Sequence, residues 1–243
     1  MRFKAVLFDL DGTLLDIDME EFFPVYFDAL SRYFDHLQSK ETFTRNLLEA
    51  TRIMMTDRNP HTTNQQVFVE CFTRLSGIDP SVFIPLFEEF YRKEYPGLGY
   101  LAKKNPSAPR VVEALRARGL DLVVATSPVF PRVAILERMN WAGLDTSMFR
   151  LITSYEVMHF SKPYPEYYEE ILRIIGRSPG ECLMVGNDVE DDMSAKDVGI
   201  RTFLVTRNVI NRQCRPLNAD FCGDLEDIPV LVSDEHVGQS GIS

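Results

Sequence analysis

The chain has 243 residues, 45% hydrophobic and 26% charged, which is enough to bury an α/β core and carry a smaller insertion. That composition excludes disorder, collagen and coiled coil. With 26 Lys and Arg against 36 Asp and Glu, the formal charge is −10, which argues against binding nucleic acid or an anionic membrane through the overall field.

The N-terminal segment carries two basic residues and an apolar run that Asp9 stops, too short for a signal peptide. No apolar run approaches the roughly 20 residues a membrane-crossing helix needs. Cys71, Cys182, Cys214 and Cys222 form no Cys-x-x-Cys pair, and Cys182 falls in an apolar run, so the expectation is a reduced, cytoplasmic protein. His36, His61, His159 and His236 lack the spacing of a zinc site.

In chain order, the first element is a short apolar strand, Phe3 to Phe8, that runs into Asp9-Leu10-Asp11-Gly12-Thr13. Residues 17–97 show helix signals and no convincing strand. Phe23, Phe27, Leu30 and Phe34 follow the spacing of one helix face, Asn64 caps a helix over Gln65–Ser76 that Gly77 ends, and Pro80 opens another to about Tyr95. After Pro96-Gly97-Leu98-Gly99 the pattern changes. Strands at Leu120–Thr126, Arg150–Thr153, Cys182–Val185 and Thr202–Val205 alternate with helices. Ser107 caps the first of these helices, which Gly119 ends, and the others cover about Pro131–Asn140, Pro165–Ile175 and Glu190–Val198. Such alternation predicts a Rossmann-like, doubly wound parallel sheet over 1–16 and 98–243, with a small all-helical cap over 17–97.

Two carboxylates one residue apart on an extended chain point to opposite faces unless the chain turns, and Gly12 permits that turn. Asp9 and Asp11 then face one site beyond the strand end, where open α/β sheets bind ligands. Asp-x-Asp-Gly also begins a calcium loop, but Leu14, Leu15 and Ile17 stand where its further ligands belong. No GxSxG elbow, P-loop or HExxH motif is present.

VLFDLDGTLLD resembles the first motif of the haloacid dehalogenase-like hydrolases, and three further motifs follow in order: Thr126 at a strand end, Lys162 in Ser-Lys-Pro, and the acidic run Gly186-Asn187-Asp188-Val189-Glu190-Asp191-Asp192. The helical insertion falls where one class of that family carries a mobile cap. The resemblance implies a phosphohydrolase working through an aspartyl-phosphate, with Asp9 as nucleophile and Asp11 as general acid and base. It also implies Thr126 and Lys162 on the transferred group, with phosphate contacts from Leu10, Gly12, Thr13, Ser127 and Asn187. Mg²⁺ would be held by Asp9, the carbonyl of Asp11 and Asp188, with Asp192 in support. The family usually has Gly-Asp where this chain has Gly186-Asn187-Asp188, so Asn187 or Asp188 could take the metal position, and Asp191 or Asp192 the supporting one. We favour Asp188, because an anionic ligand is worth more to Mg²⁺ than an amide oxygen.

The expected substrate is a small phosphorylated metabolite, with no nucleic-acid or membrane partner. A dehalogenase would typically lack Asp11. A phosphonatase would need a cap lysine, for which Lys40 and Lys93 are the choices. A phosphomutase or a non-catalytic binding module on the same fold are the other readings. Arg45, Arg52, Arg58 and His61 are candidates for touching the leaving group, and hinges are expected near Leu15–Asp18 and Pro96–Gly99. Arg207, Arg212 and Arg215 read as a solvated loop rather than an active-site flank.

Overall fold

Strand β1 (Ala5–Phe8) is wholly buried, as an apolar run without alternation demands when both faces of a strand are covered. The computed structural model describes residues 3–234 and places β1 at the centre of a six-stranded sheet. On one side lie β4 (Asp121–Val124) and then β5 (Leu151–Ile152); on the other β6 (Cys182–Gly186), β7 (Arg201–Val205) and β8 (Phe221–Gly223). Every pairing is parallel. This is the Rossmann-like α/β class expected from the sequence. The expected core boundary at 243 lies outside the described residues, as does His236.

The period-2 geometry of β1 sorts its side chains into two layers. Val6 and Phe8 face the cluster that holds α5 (Ser107–Ala117) and α6 (Arg132–Trp141). Ala5 and Leu7 face α7 (Pro165–Ile175), through Tyr167, Tyr168 and Ile171. Because the chain leaves β1 toward β4 and later returns to β6 on the opposite side, the strand order reverses at β1. Ligands bind beyond the strand ends at such a point.

Between β1 and α5 the chain builds four helices: α1 (Met19–Ser31), α2 (Lys40–Thr56), α3 (Asn64–Ser76) and α4 (Pro80–Lys93). Their shared core is aromatic. Phe34 and Phe43 stack with ring centroids 4.4 Å apart, and Phe72 meets Phe83 edge to face at 5.0 Å. The segment is joined to the sheet domain by β2 (Leu15–Ile17) and β3 (Ala102–Lys104), an antiparallel pair in which Leu15 opposes Lys104 and Ile17 opposes Ala102. Among the described residues no helix is long and apolar enough to cross a membrane.

Several local expectations need correction. The α3 cap is Thr63, which shares a capping box with Gln66. Asn64 is instead buried, and its Nδ2 donates to the Pro128 carbonyl and Ser161 Oγ at 3.3 and 3.2 Å, fastening α3 to the sheet domain. Ser107 is the first residue of α5; the side chain of Asn105 accepts from its N–H at 3.1 Å. On α1 the buried stripe is Phe22, Tyr26 and Leu30, so Phe23 and Phe27 are only half-buried. The expected helix over Glu190–Val198 is a turn followed by a 3₁₀ segment, Met193–Val198. Its acids turn back onto their own backbone and compete with helix formation.

Candidate active site

The ladder that holds β1 continues one residue beyond it. The Asp9 N–H donates to the Val185 carbonyl at 2.9 Å, and Ala125 donates to the Phe8 carbonyl at 2.7 Å. That register sets Asp9 level with Ala125 and Gly186, so Thr126 and Asn187 follow one residue on at the carboxyl ends of the two neighbouring strands.

Lys162 reaches the same place from the loop before α7, its side chain 1% exposed. Its Nζ donates to Asp9 Oδ1 at 2.9 Å and to Asp192 Oδ1 at 2.6 Å. Burial alone would lower the ammonium's pKa, but the carboxylates of Asp192 and Asp9 outweigh it and hold the pKa well above the usual lysine range. Lys162 therefore stays charged. Asp192 is pushed up to about 7, chiefly by burial, and Asp191 to about 6 by burial and then by Asp188. Asp9 is also raised by burial, with Lys162 opposing.

Two glycines make the close approaches possible. A Cβ on Gly186 would lie 2.0 Å from Asp192 Oδ2, so only glycine lets that carboxylate fold under the strand end. There it accepts from the Asp188 N–H at 2.9 Å. Gly12 has φ +82°, and a Cβ there would lie 2.4 Å from Asn187 Nδ2. The Asn187 amide is engaged at both ends: Oδ1 accepts from Thr13 Oγ1 at 2.9 Å, and Nδ2 donates to the Asn208 carbonyl at 2.8 Å. It ties the turn after β1 to the loop after β7.

Asp188 Oδ1 accepts from the N–H groups of Glu190 and Asp191 at 2.9 and 2.8 Å. Its Oδ2 meets Arg212 Nη1 at 2.8 Å, and Arg212 also reaches Asp191 at 3.4 Å. Arg212 thus flanks the site, contrary to the reading of its loop as merely solvated. The signal was obscured because its partners lie far away in sequence. Glu190 holds the loop in place by accepting from the backbone N–H groups of Arg212 and Gln213 at 3.2 and 2.8 Å.

Asp11 lines the same cavity as this cluster. Burial raises its pKa, with Arg138 opposing. Arg138, on α6, donates through Nη1 to Asp11 Oδ2, and its Cζ lies 4.1 Å from the centroid of the Phe130 ring. Sequence reasoning missed Arg138, because a lone arginine on an amphipathic helix reads as solvent-facing. A helical wheel would have shown it on the same side as Ala134, Ile135 and Met139, all buried.

Asp9, Asp11, Thr126, Ser127, Lys162, Asn187, Asp188 and Asp192 line one cavity of about 1220 Å³ that extends into the helical segment. Leu10 is buried behind them; its carbonyl accepts from the Leu15 N–H at 2.8 Å. Thr126 is fixed through its carbonyl, which accepts from Tyr167 Oη at 2.8 Å and Thr153 Oγ1 at 2.7 Å. Of the residues considered for the leaving group, Arg52 lines the cavity, although Glu49 binds it at 2.7 Å. Arg58 is drawn to Glu166, while Arg45 and His61 are exposed. Lys40 and Lys93, the choices for a phosphonatase lysine, pair with Asp28 and Glu89 away from the cavity.

At this end of the cavity five carboxyls (Asp9, Asp11, Asp188, Asp191 and Asp192) face three cations (Lys162, Arg138 and Arg212), a surplus of two negative charges when all are ionised. Among the described residues, no three His, Cys, Asp or Glu side chains form a ready-made metal cluster.

Residues 3–199 match the haloacid dehalogenase-like hydrolases. The chain belongs to that family. Among its relatives, the N-acetylmuramic acid 6-phosphate phosphatase of Pseudomonas aeruginosa is 27% identical over 217 residues, which cover 89% of this chain and 87% of that protein. Pyrophosphatase PpaX of Anoxybacillus flavithermus is 23% identical over 88% of both chains. A phosphatase of the same family from Thermococcus onnurineus superposes with a TM-score of 0.60 at 25% identity, covering 97% of this chain and all of that one. An L-2-haloacid dehalogenase from Xanthobacter autotrophicus shares the fold at a TM-score of 0.56 and 20% identity, with 96% of this chain and 99% of that one covered.

Proposed function

We propose that this hydrolase cleaves a phosphate monoester of a small metabolite, with Mg²⁺, through a phosphorylated Asp9. One observation carries the reading: a buried carboxylate at the end of the central strand, held at 2.9 Å by a buried lysine, with the ends of both neighbouring strands contributing to the same cavity. The phosphatases among its relatives support a phosphate-ester hydrolase, and Asp11 favours that over a dehalogenase.

Asp9 attacks phosphorus, forming the aspartyl P–O bond as the ester P–O bond breaks, and Asp11 gives its proton to the departing alkoxide. Asp11 then accepts a proton from water as the water's oxygen attacks phosphorus, freeing Asp9 and releasing inorganic phosphate. Splitting one hard displacement into two easier ones is the gain of covalent catalysis. Lys162 orients Asp9 and places fixed positive charge beside the transferred group. Thr126 and Ser127, which line the same cavity, would offer its oxygens a hydroxyl and a backbone N–H.

The donor set fits a hard divalent cation: carboxylates and a carbonyl, in a site whose carboxyls outnumber its cations. The Asp9 and Asp188 carboxylates and the Asp11 carbonyl would hold it. Asp192, already bonded to Lys162 and the Asp188 N–H, supports them; Asn187 and Asp188 are both engaged, and Asp188 is preferred because it is the anion and because its Oδ2 faces only the half-exposed Arg212, which the ion would displace. When bound, the ion would offset the repulsion between Asp9 and the incoming phosphate. The helical segment, joined by the β2–β3 pair, would serve as the lid that excludes water during the first step.

The test is phosphate release from generic phosphate esters, with and without Mg²⁺, for the wild type and Asp9→Asn. Metal-dependent release that Asp9→Asn abolishes is expected. Full activity in Asp9→Asn would overturn the assignment.

A further inference from the structure

The cavity that begins at Asp9 does not end at the sheet edge. It continues between the helices of the insertion, and there its character changes. Phe23 and Phe27 from α1, Leu47 and Met55 from α2, Phe68 from α3 and Phe87 from α4 form its walls. Phe23, Phe27, Met55 and Phe87 are only half-buried although they belong to the interior of a helical bundle, so their apolar surface is turned toward the cavity. Phe130, on which the Arg138 guanidinium rests, stacks on Phe23 at 6.4 Å, and Phe23 stacks on Phe27 at 5.5 Å. A continuous aromatic wall therefore leads from the carboxyl of Asp11 into the helical segment.

Two cations, Arg52 and Arg92, line this side of the cavity, but both sit at its solvent-exposed rim rather than among the aromatic walls. Arg52 is exposed and bonded to Glu49 at 2.9 and 2.7 Å, and Arg92 is exposed at the end of α4. A volume of about 1220 Å³ also exceeds what a two- or three-carbon alcohol would fill. Water in a mainly apolar cavity finds few partners, and apolar surface there is satisfied by an apolar occupant.

We infer that the leaving group of the substrate is a bulky apolar alcohol, so that the enzyme prefers monophosphate esters with an extended hydrocarbon or aromatic body. The inference rests on the phosphatase reading above. It departs from the substrates in the names of those two relatives, a pyrophosphate and N-acetylmuramic acid 6-phosphate. The phosphate is fixed at the sheet edge, and the hydrocarbon body lies along Phe130, Phe23 and Phe27, with Asp11 at the bridging oxygen between them.

The experiment compares kcat/KM, with Mg²⁺ present, for ethyl phosphate, glycerol 3-phosphate, 2-phenylethyl phosphate and 2-(2-naphthyl)ethyl phosphate. Three of these (the ethyl, phenylethyl and naphthylethyl esters) share a primary carbinol beside phosphorus and differ chiefly in apolar bulk. Each buried methylene equivalent is worth about fourfold, so the naphthyl ester is expected to exceed ethyl phosphate by on the order of a hundredfold or more. Glycerol 3-phosphate is expected to be no better than ethyl phosphate. Phe27→Ala and, separately, Leu48→Glu at the exposed mouth of the cavity are expected to reduce the naphthyl-to-ethyl ratio by about tenfold. The ratio is read within each variant, so partial loss of folded protein cancels. Turnover of the small esters with no naphthyl advantage would overturn this inference and leave the phosphatase reading standing. Failure to turn over any ester would overturn both.

Discussion

Arg138→Met tests the arrangement around Asp11. The guanidinium is 1% exposed, donates to Asp11 Oδ2 and rests 4.1 Å from the Phe130 ring centroid. Removing one partner of a buried ion pair costs about 3–5 kcal/mol, because the other charge is left uncompensated. Two effects reduce that cost. Asp11 can take up a proton, and Arg138 Nε and Nη2, buried without hydrogen-bond partners, no longer need to be desolvated. A net loss of about 3 kcal/mol is expected, which lowers Tm by roughly 6–12 °C in a chain of this size. Asp11→Asn is expected to cost at least as much, since arginine cannot shed its charge. The double variant should then lose less than the sum of the two by more than about 1 kcal/mol. Urea and thermal unfolding of all four proteins, free of metal and substrate, supply the measurement. Additive losses, or an Arg138→Met protein as stable as the wild type, would refute the pairing argument.

Three further outcomes follow from the same structure. Gly12→Ala forces a left-handed backbone onto a residue with a Cβ, at about 1–2 kcal/mol, and displaces Asn187. Lower thermal stability together with reduced kcat is expected, and a wild-type profile in both would contradict it. Asp121 is pushed up by burial, but Arg177 and Arg150 outweigh this and hold its carboxyl below the usual range. Its contribution is therefore complete above the ordinary carboxylate pKa of about 3.9 and is lost as pH falls through the lowered folded value. Asp121→Asn should thus unfold at a lower temperature than the wild type at pH 7, with the gap closing toward pH 2 to 3 (about the lower end of the carboxylate range) in a denaturation series. Mg²⁺ at 100 times its Kd should stabilise the wild type by about 2.7 kcal/mol in thermal-shift measurements, and Asp188→Ala should lose most of that gain.

Much of the molecule was legible in its sequence because the relevant forces are local. Buried parallel strands read as unbroken apolar runs, and each functional loop begins where such a run stops, at Asp9, Thr126 and Asn187. Features that depend on partners distant in sequence could not be read in this way. Leu15–Ile17 and Ala102–Lys104 are each three residues long, and only their pairing makes them strands. β8 is an equally short edge strand, whose residues Phe221, Cys222 and Gly223 show no apolar run. Asn64 is of a residue type that caps helices, yet the Pro128 carbonyl and Ser161 hydroxyl claim its side chain, and the cap is Thr63, whose capping box with Gln66 is the one local signal that separates the two. A helical wheel puts Arg138 on the buried side of α6, but its role beside Asp11, like that of Arg212 beside Asp188, is visible only once those distant partners have been placed.

Acid-quenching the enzyme during turnover of a phosphate ester, followed by peptide mass mapping, measures the central step directly. A phosphoryl group on the peptide containing Asp9, labile to hydroxylamine and missing in Asp9→Asn, is the predicted result. Sustained metal-dependent turnover with that peptide never modified, while the phosphoryl group appears on another residue, would contradict it.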